Sequence, residues 1–130
     1  MNKSTIQRAF NTQFFEFFDD ILRIIPNNID VLTAKNSLEL IKKSNPTILI
    51  KIWNSYIYQP YAKVIDEGDI SFFFDKDYKN DLVYLADSDK IMNVIDKIRE
   101  PIRSMDEHNK EISKKYIQNL SKLSSIYANM

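Results

Sequence analysis

The residues best suited to chemistry are the carboxylates between Asp66 and Asp89, where eight acids accompany two lysines and the local charge is −6. Carboxylates that converge from separate elements can hold divalent metals, but their spacing along the chain does not establish convergence. The segment 75–81 is similar to a calcium-binding loop, yet Asn80 stands where that loop needs glycine and Ala86 where it needs glutamate. We interpret the stretch as a solvated acidic face or a docking patch for a basic partner, and we expect no bound metal.

His108 is the only histidine, and the chain has no cysteine. A Ser-His triad or a histidine-rich metal site would therefore have to use this one residue, which lies in the polar segment 106–110. Gly68 is the only glycine, so phosphate-binding glycine loops are absent from the sequence. We expect a surface histidine, no cofactor, no small-molecule substrate and no enzymatic activity.

Lysines collect in the middle of the chain and give a local charge of +4 against Glu39; they are Lys35, Lys42, Lys43, Lys51 and Lys63. Aromatic residues such as Trp53 and Tyr58 interleave with them, which is typical of a nucleic-acid surface. No arginine is present there for bidentate base recognition, and Trp53 is more simply explained as a core residue. Nucleic-acid binding, as a packaging or expression factor, is therefore the second functional hypothesis. The basic region could instead complement the acidic stretch, within one chain or between copies.

Apolar positions in the last third of the chain recur in steps of three or four residues. They run Ile91, Ile95, Ile98, Ile102, Met105, then Asn109, then Ile112, Tyr116, Leu120, Leu123 and Tyr127. This spacing predicts a long amphipathic helix with an apolar stripe, interrupted at Pro101 by a kink or by a corner near residues 103–104. The stripe is longer than the helix can hide alone, so the rest of the chain or a partner must cover it.

The same stripe supplies the first functional hypothesis, a non-enzymatic protein-interaction or virion-structural module, which could be a homo-oligomer. Its predicted interface consists of Ile112, Tyr116, Leu120, Leu123 and Tyr127, together with Asn109. A buried Asn109 would fix the register of paired helices. The alternative is that the stripe is simply exposed at that residue.

The remaining segments also predict helices. Ser4 and Gln7 have capping-box spacing before a Phe-rich apolar face that should end at Pro26. A second helix is expected over residues 29–43, with Leu32, Leu38 and Ile41 facing inward. A third should start at residue 46, be interrupted at Pro60 and end at Gly68 in the left-handed conformation.

Length and composition complete the prediction of the fold class. The 130 residues, with a net charge of zero, fit one domain spanning residues 1–130. Apolar runs are too short to cross a bilayer, and the first residues do not read as a signal peptide, so a cytoplasmic protein is expected. We predict an all-α bundle of about five or six helices with a long, Pro-kinked C-terminal helix.

Three stretches carry a resemblance to a known group of proteins. Residues 28–46 (NIDVLTAKNSLELIKKSNP), 52–78 (IWNSYIYQPYAKVIDEGDISFFFDKDY) and 115–127 (KYIQNLSKLSSIY) resemble small uncharacterised helical proteins of large nucleocytoplasmic DNA viruses, the giant and algal viruses. The resemblance implies a setting in the host cytoplasm, a virus factory or the virion. It brings no catalytic residues.

Overall fold

The computed structural model describes residues 2–69 and 101–130, and this part of the chain is helical without any strand. The helices are α1 (Lys3–Ile24), α2 (Ile29–Ser44), α3 (Ile48–Ile52), a π-helical segment (Trp53–Tyr58), α4 (Gln59–Asp66) and α5 (Glu107–Ala128). The all-α fold class with a long C-terminal helix is therefore confirmed. The predictions for residues 70–100, which include the calcium-loop-like segment and the first half of the apolar stripe, lie outside the described residues.

The Phe-rich helix α1 is the centre of the core. Its buried apolar side chains are Ile6, Phe10, Phe14, Phe15, Phe17, Phe18 and Ile21. It ends at Ile24, two residues before Pro26, as predicted. The start differs from the prediction, because the Oδ1 atom of Asn2 caps the helix by accepting the Thr5 amide at 2.9 Å. An asparagine two positions before the expected Ser4 thus replaces the predicted capping box.

Aromatic rings join α1 to the middle of the chain. The indole of Trp53 lies edge-on to Phe10 at 6.0 Å between ring centroids and perpendicular to Phe14 at 6.3 Å. Trp53 is 4% exposed, so its expected place in the core is confirmed. Fully burying a side chain of this size stabilises the fold by roughly 1.5–3 kcal/mol, before the entropy of ordering it is subtracted.

Helix α2 buries Leu38 and Ile41 as predicted, but Val31 takes the inward position that was predicted for Leu32. Val31, Ala34, Leu38 and Ile41 are buried in steps of three, four and three residues. The prediction that Leu32 points inward is wrong, since its side chain is 47% exposed. One residue corresponds to about 100° around a helix, so Leu32 cannot share the face that Val31 and Ala34 define.

Pro60 is preceded by a π-helical turn. Proline lacks an amide proton and crowds the carbonyl four residues earlier. The chain accommodates it with a wider turn, in which the Gln59 amide donates to the Asn54 carbonyl five residues back, and with a non-helical Tyr61 (φ −126°, ψ 20°). Gly68 then ends α4 with φ +85°, as predicted, and the Asp69 amide donates to the Val64 carbonyl at 2.8 Å.

The C-terminal region contains a corner. Pro101 lies in the last helical residues before the chain leaves the helix at 104–106, and Asp106 caps α5 by accepting the Asn109 amide at 2.8 Å. Of the two alternatives left open by the sequence, a kink at Pro101 or a corner just after it, the described residues show the corner. Helix α5 alone is 22 residues long, roughly 33 Å at 1.5 Å per residue.

Helix α5 turns a face of small side chains towards the core. Its buried residues are Ser113, Ile117, Leu120, Ser121 and Ser124. The Trp53 Nε1 atom donates to Ser121 Oγ at 2.9 Å, and Asn54 Nδ2 donates to Ser124 Oγ at 3.4 Å. Serines provide both the space for close approach and the acceptors for buried donors, so the π-helical segment and α5 position each other.

Two leucines on α2 test which face is buried. Leu38→Ala should lower the free energy of unfolding by about 2–5 kcal/mol, because Leu38 is 1% exposed and its removal leaves a cavity. Leu40→Ala, two residues away and 65% exposed, is the matched control and should change it by less than about 0.5 kcal/mol. Urea titration followed by circular dichroism measures both, and equal losses would contradict this packing.

The contact between Trp53 and Ser121 makes a second stability prediction. Ser121→Ala leaves the buried indole N–H without its acceptor and should cost about 1–3 kcal/mol of unfolding free energy. The control is Ser55→Ala, at an exposed position of the π-helical segment, where little change is expected. Tryptophan fluorescence during urea unfolding reports both variants; an unaffected Ser121→Ala protein would show that the indole has another partner.

Candidate protein-interaction surface

The predicted interface residues of α5 do not share one environment. Leu120 is fully buried inside the chain, whereas Asn109, Ile112, Tyr116 and Leu123 are half-buried, as is the remaining predicted residue, Tyr127. At about 100° per residue, the half-buried side chains lie on a flank of α5, rotated from the buried serine face. Leu120 therefore belongs to the core, whereas the other predicted interface residues keep part of their surface exposed to solvent.

The two tyrosines of this flank contact α1. The ring of Tyr116 stacks on Phe17 with 5.0 Å between centroids and 12° between planes, and its hydroxyl donates to Asp20. Nζ of Lys3 lies 4.9 Å from the centre of the Tyr127 ring. Each tyrosine therefore has one ring face in contact with a residue of α1 and stays half-buried.

A continuous seam runs along the outside of α5 beside these contacts. We call it the outer seam; it consists of Asn109, Ile112, Tyr116, Asn119, Leu123, Ile126 and Met130, the last just beyond the end of the helix. The steps are three, four, three, four, three and four residues, an unbroken heptad alternation. Ile126 is 43% exposed and Met130 50% exposed, so the seam is most open at its C-terminal end.

Near Ile112 and Tyr116 the two borders of the outer seam carry opposite charge, whereas Lys3 lies on the α1 side at the C-terminal end of the seam. Lys115 and Lys122 are exposed on the side away from α1. On the other side, Gln13 and Glu16 of α1 line a cleft of about 350 Å³ together with Ile112, Lys115, Tyr116 and Asn119. Among the described residues, none of Glu16, Lys115 and Lys122 takes part in an ion pair. These charges remain available to a partner.

Sequence reasoning missed Asn119, Ile126 and Met130 as members of this surface, and Glu16, Lys115 and Lys122 as its borders. The heptad spacing of the first three was present in the sequence. The predicted stripe instead passed through Leu120 and Tyr127, because two apolar registers overlap in α5. Only the packing of α5 on Trp53 distinguishes the register that is buried from the one that is left outside.

The five lysines of the predicted nucleic-acid region are not gathered into one basic surface at the α1–α2 cleft. Lys35 is held by Asp19 and lies 4.0 Å from Glu39, and its pKa is raised mainly by the hydrogen bond with Asp19. Nζ of Lys42 lies 5.1 Å from the centre of the Phe15 ring. Lys51 is exposed on α3, and Lys63 is exposed on α4.

Lys42 and Lys43 line a cleft of about 570 Å³ between α1 and α2, but they share it with three acids, Glu16, Asp19 and Glu39. Asn11 also lines this cleft and is 6% exposed; its Nδ2 donates to the Pro46 carbonyl at 3.0 Å. Within the described residues, Asn11 Oδ1 is the buried side-chain atom that has no hydrogen-bond partner. The mixed charge of the lining gives no preference for a polyanion.

A third cleft, of about 520 Å³, lies between α4 and α5 and is lined by Tyr58, Asp66, Gln118, Asn119, Lys122, Ser125 and Ile126. His108 is exposed near the start of α5, where the sequence placed it. Over residues 2–69 and 101–130 there is no group of three potential metal-ligating side chains. In the same ranges no helix combines the length and the apolar character that a bilayer span requires.

Comparison with known proteins adds no relative. No family model matches the chain, and no significant match was found to a curated protein or to a solved structure. The surface of α5 therefore has to be interpreted from its own geometry.

The environment of Tyr116 makes a prediction about pH. Burial, followed by the hydrogen bond to Asp20, raises the pKa of Tyr116 to about 12 from the usual 10.0. The folded state thus retains a proton that the unfolded chain releases first, so the free energy of unfolding should fall as the pH rises from 10 towards 12. Tyr116→Phe removes this proton, and its unfolding free energy should fall less steeply over that window.

Urea unfolding of both proteins at several pH values between about 9 and 11.5 measures the two slopes. Absorbance titration of the phenolate provides an independent check, because the variant should lose a late-titrating tyrosine. Identical slopes would mean that Tyr116 ionises as readily in the folded protein as in the unfolded chain.

Proposed function

We propose that the protein is a non-enzymatic protein-interaction module that binds a helix of another polypeptide along the outer seam of α5. The observation that carries this proposal is that five of the seven positions with this heptad spacing are apolar or aromatic side chains that the fold leaves partly exposed. Heptad spacing is the pattern with which one helix inserts side chains between those of another. A purely solvent-facing flank has no requirement for it.

The binding mechanism is burial of the remaining apolar surface. Ile126 and Met130 are the most exposed apolar members and would form the centre of a contact at the C-terminal half, with Leu123 and Tyr116 extending it. Each large side chain that goes from exposed to buried contributes up to about 1.5–3 kcal/mol, and half-buried side chains contribute less. The charged borders would set the orientation of the partner more than its affinity.

The setting of this interaction stays a prediction. A role in virion structure or assembly rests on the resemblance in the sequence and has no other support. Nucleic-acid binding through the lysines of the middle region is not favoured by any contact, because acids of α1 and α2 lie among those lysines.

Site-specific photo-crosslinking tests the proposal in cells that produce the protein. A photoreactive amino acid is placed at Asn119, which is exposed in the middle of the outer seam, and in a separate variant at Lys51, which is exposed on α3. Covalent adducts with a polypeptide are expected from position 119 and not from position 51, because only the first lies in the contact.

The adducts are analysed by mass spectrometry, which identifies both the partner and the cross-linked segment. Adducts with one helical segment, lost when Ile126→Glu is added, support the proposal. No adduct at position 119, or the same adducts from both positions, would rule out the outer seam as the contact surface.

A further inference from the structure

We propose that the helix bound at the outer seam belongs to a second copy of this chain, in a parallel pair related by a two-fold axis that runs along α5. The inference rests on the proposed function, since it identifies the partner of the same surface. It is carried by the arrangement of charge on the two borders of the seam, which complement each other in only one of the two symmetric pairings.

The two possible axes bring different borders together. A two-fold axis parallel to α5 places the lysine border of one copy opposite the α1 border of the other. It leaves the position of each residue along the helix axis unchanged, so Lys115 of one copy meets Glu16 of the other. A two-fold axis perpendicular to α5 makes the two helices antiparallel and places the same border of both copies side by side. The lysines of one copy then meet the lysines of the other. Like charges placed opposite each other oppose binding, so the parallel pair is selected.

The positions of Glu16 and Lys115 along the axis of α5 agree with the parallel pairing. Glu16 and Lys115 line the same cleft. At about 100° per residue, Lys115 lies on the side of Ile112 away from Tyr116, whose ring contacts α1. Glu16 and Lys115 therefore lie at nearly the same level along α5, and a rotation that preserves height places each within reach of its counterpart in the second copy. Two such pairs form per dimer, and both are lost together if the orientation is reversed.

The polar members of the outer seam fit the same arrangement. In a parallel pair with matched register, each seam residue faces its own counterpart, so Asn109 meets Asn109 and Asn119 meets Asn119. Paired asparagine amides can each donate and accept, whereas an asparagine opposite Ile112 or Leu123 would be left unsatisfied. The two asparagines thus penalise a shifted register.

The pair should dissociate readily. A standard interface takes about 800 Å² from each partner, and a seam of seven side chains, several of them half-buried, supplies less without help from α1. We therefore expect a dissociation constant of roughly 1–100 µM, with dimers that form and separate as the concentration changes.

Sedimentation velocity of the full chain, over concentrations from roughly 1 µM to 1 mM, tests the association. The wild type should shift from monomer to dimer, and Lys115→Glu or Glu16→Lys should each weaken dimerisation by about tenfold or more. The protein carrying both reversals should recover it, because the charges are again complementary. Lys51→Glu, on the exposed surface of α3, makes the same change in net charge as Lys115→Glu and should leave dimerisation unaffected.

Single cysteines test the orientation, since the chain contains none of its own. Ile112→Cys alone and Ile126→Cys alone should each form a disulfide-linked dimer under mild oxidation, because each residue meets its counterpart in a parallel pair. An antiparallel pair predicts cross-links only in a mixture of the two variants.

A chain that stays monomeric at every concentration, or cysteines that cross-link only in the mixture, would overturn this inference. A failure of this inference can be distinguished from a failure of the proposed function. If the chain is monomeric but position 119 photo-crosslinks to a helix of another protein, the interaction module stands and only the identity of its partner changes. If self-association persists after both Ile126→Glu and Lys115→Glu, the copies meet elsewhere on the molecule and this inference fails, while adducts at position 119 still decide the proposed function.

Discussion

The hydrogen bond between Trp53 and Ser121 fixes how α5 is rotated in the bundle. The indole lies among the phenylalanines of α1, and its N–H group needs an acceptor in a place that water does not reach. Ser121 provides that acceptor, and Ser124 does the same for Asn54 one turn later. With these serines turned inward, the angular position of every other residue of α5 follows, including which of its apolar side chains face outward.

Two apolar registers overlap in α5, and this rotation assigns a separate task to each. Ile117 and Leu120 lie between the serines and complete the core. The outer seam lies roughly 120° around the helix, at about 100° per residue, and is only partly covered by α1. If the apolar residues of α5 formed one wide stripe, all of them would face the core. Because serines occupy much of the inward face, the helices can pack closely while Ile112 and Leu123 stay half-buried at its side.

The helices, the core of α1, the stop before Pro26 and the glycine cap at Gly68 follow from local rules, and each could be predicted from the sequence. Leu32 could not be assigned correctly, because it competes with the neighbouring Val31 for one inward position. In α5 the sequence did not show that Leu120 is covered within the chain, because the buried and the exposed apolar registers overlap there. In α2 the buried residue is Val31. In α5 the contact between Ser121 and Trp53 determines which apolar register faces the core. The surface was harder still to predict, since Glu16 and Lys115 are 99 positions apart in the sequence and become borders of one cleft only after α1 and α5 pack.

The heptad spacing of the outer seam also bears on the shape of a complex. A straight α-helix has 3.6 residues per turn, so a strict heptad repeat drifts around it by about 20° per repeat, or roughly 60° over the three repeats from Asn109 to Met130. In one chain this drift carries the seam from beside the core to the open surface at the C-terminal end, in agreement with the rising exposure of Ile126 and Met130. Such a seam winds left-handed around α5, and it matches the same seam of a parallel helix when the two cross at about +20°. The drift that opens the seam in one chain is thus the geometry that a parallel pair requires.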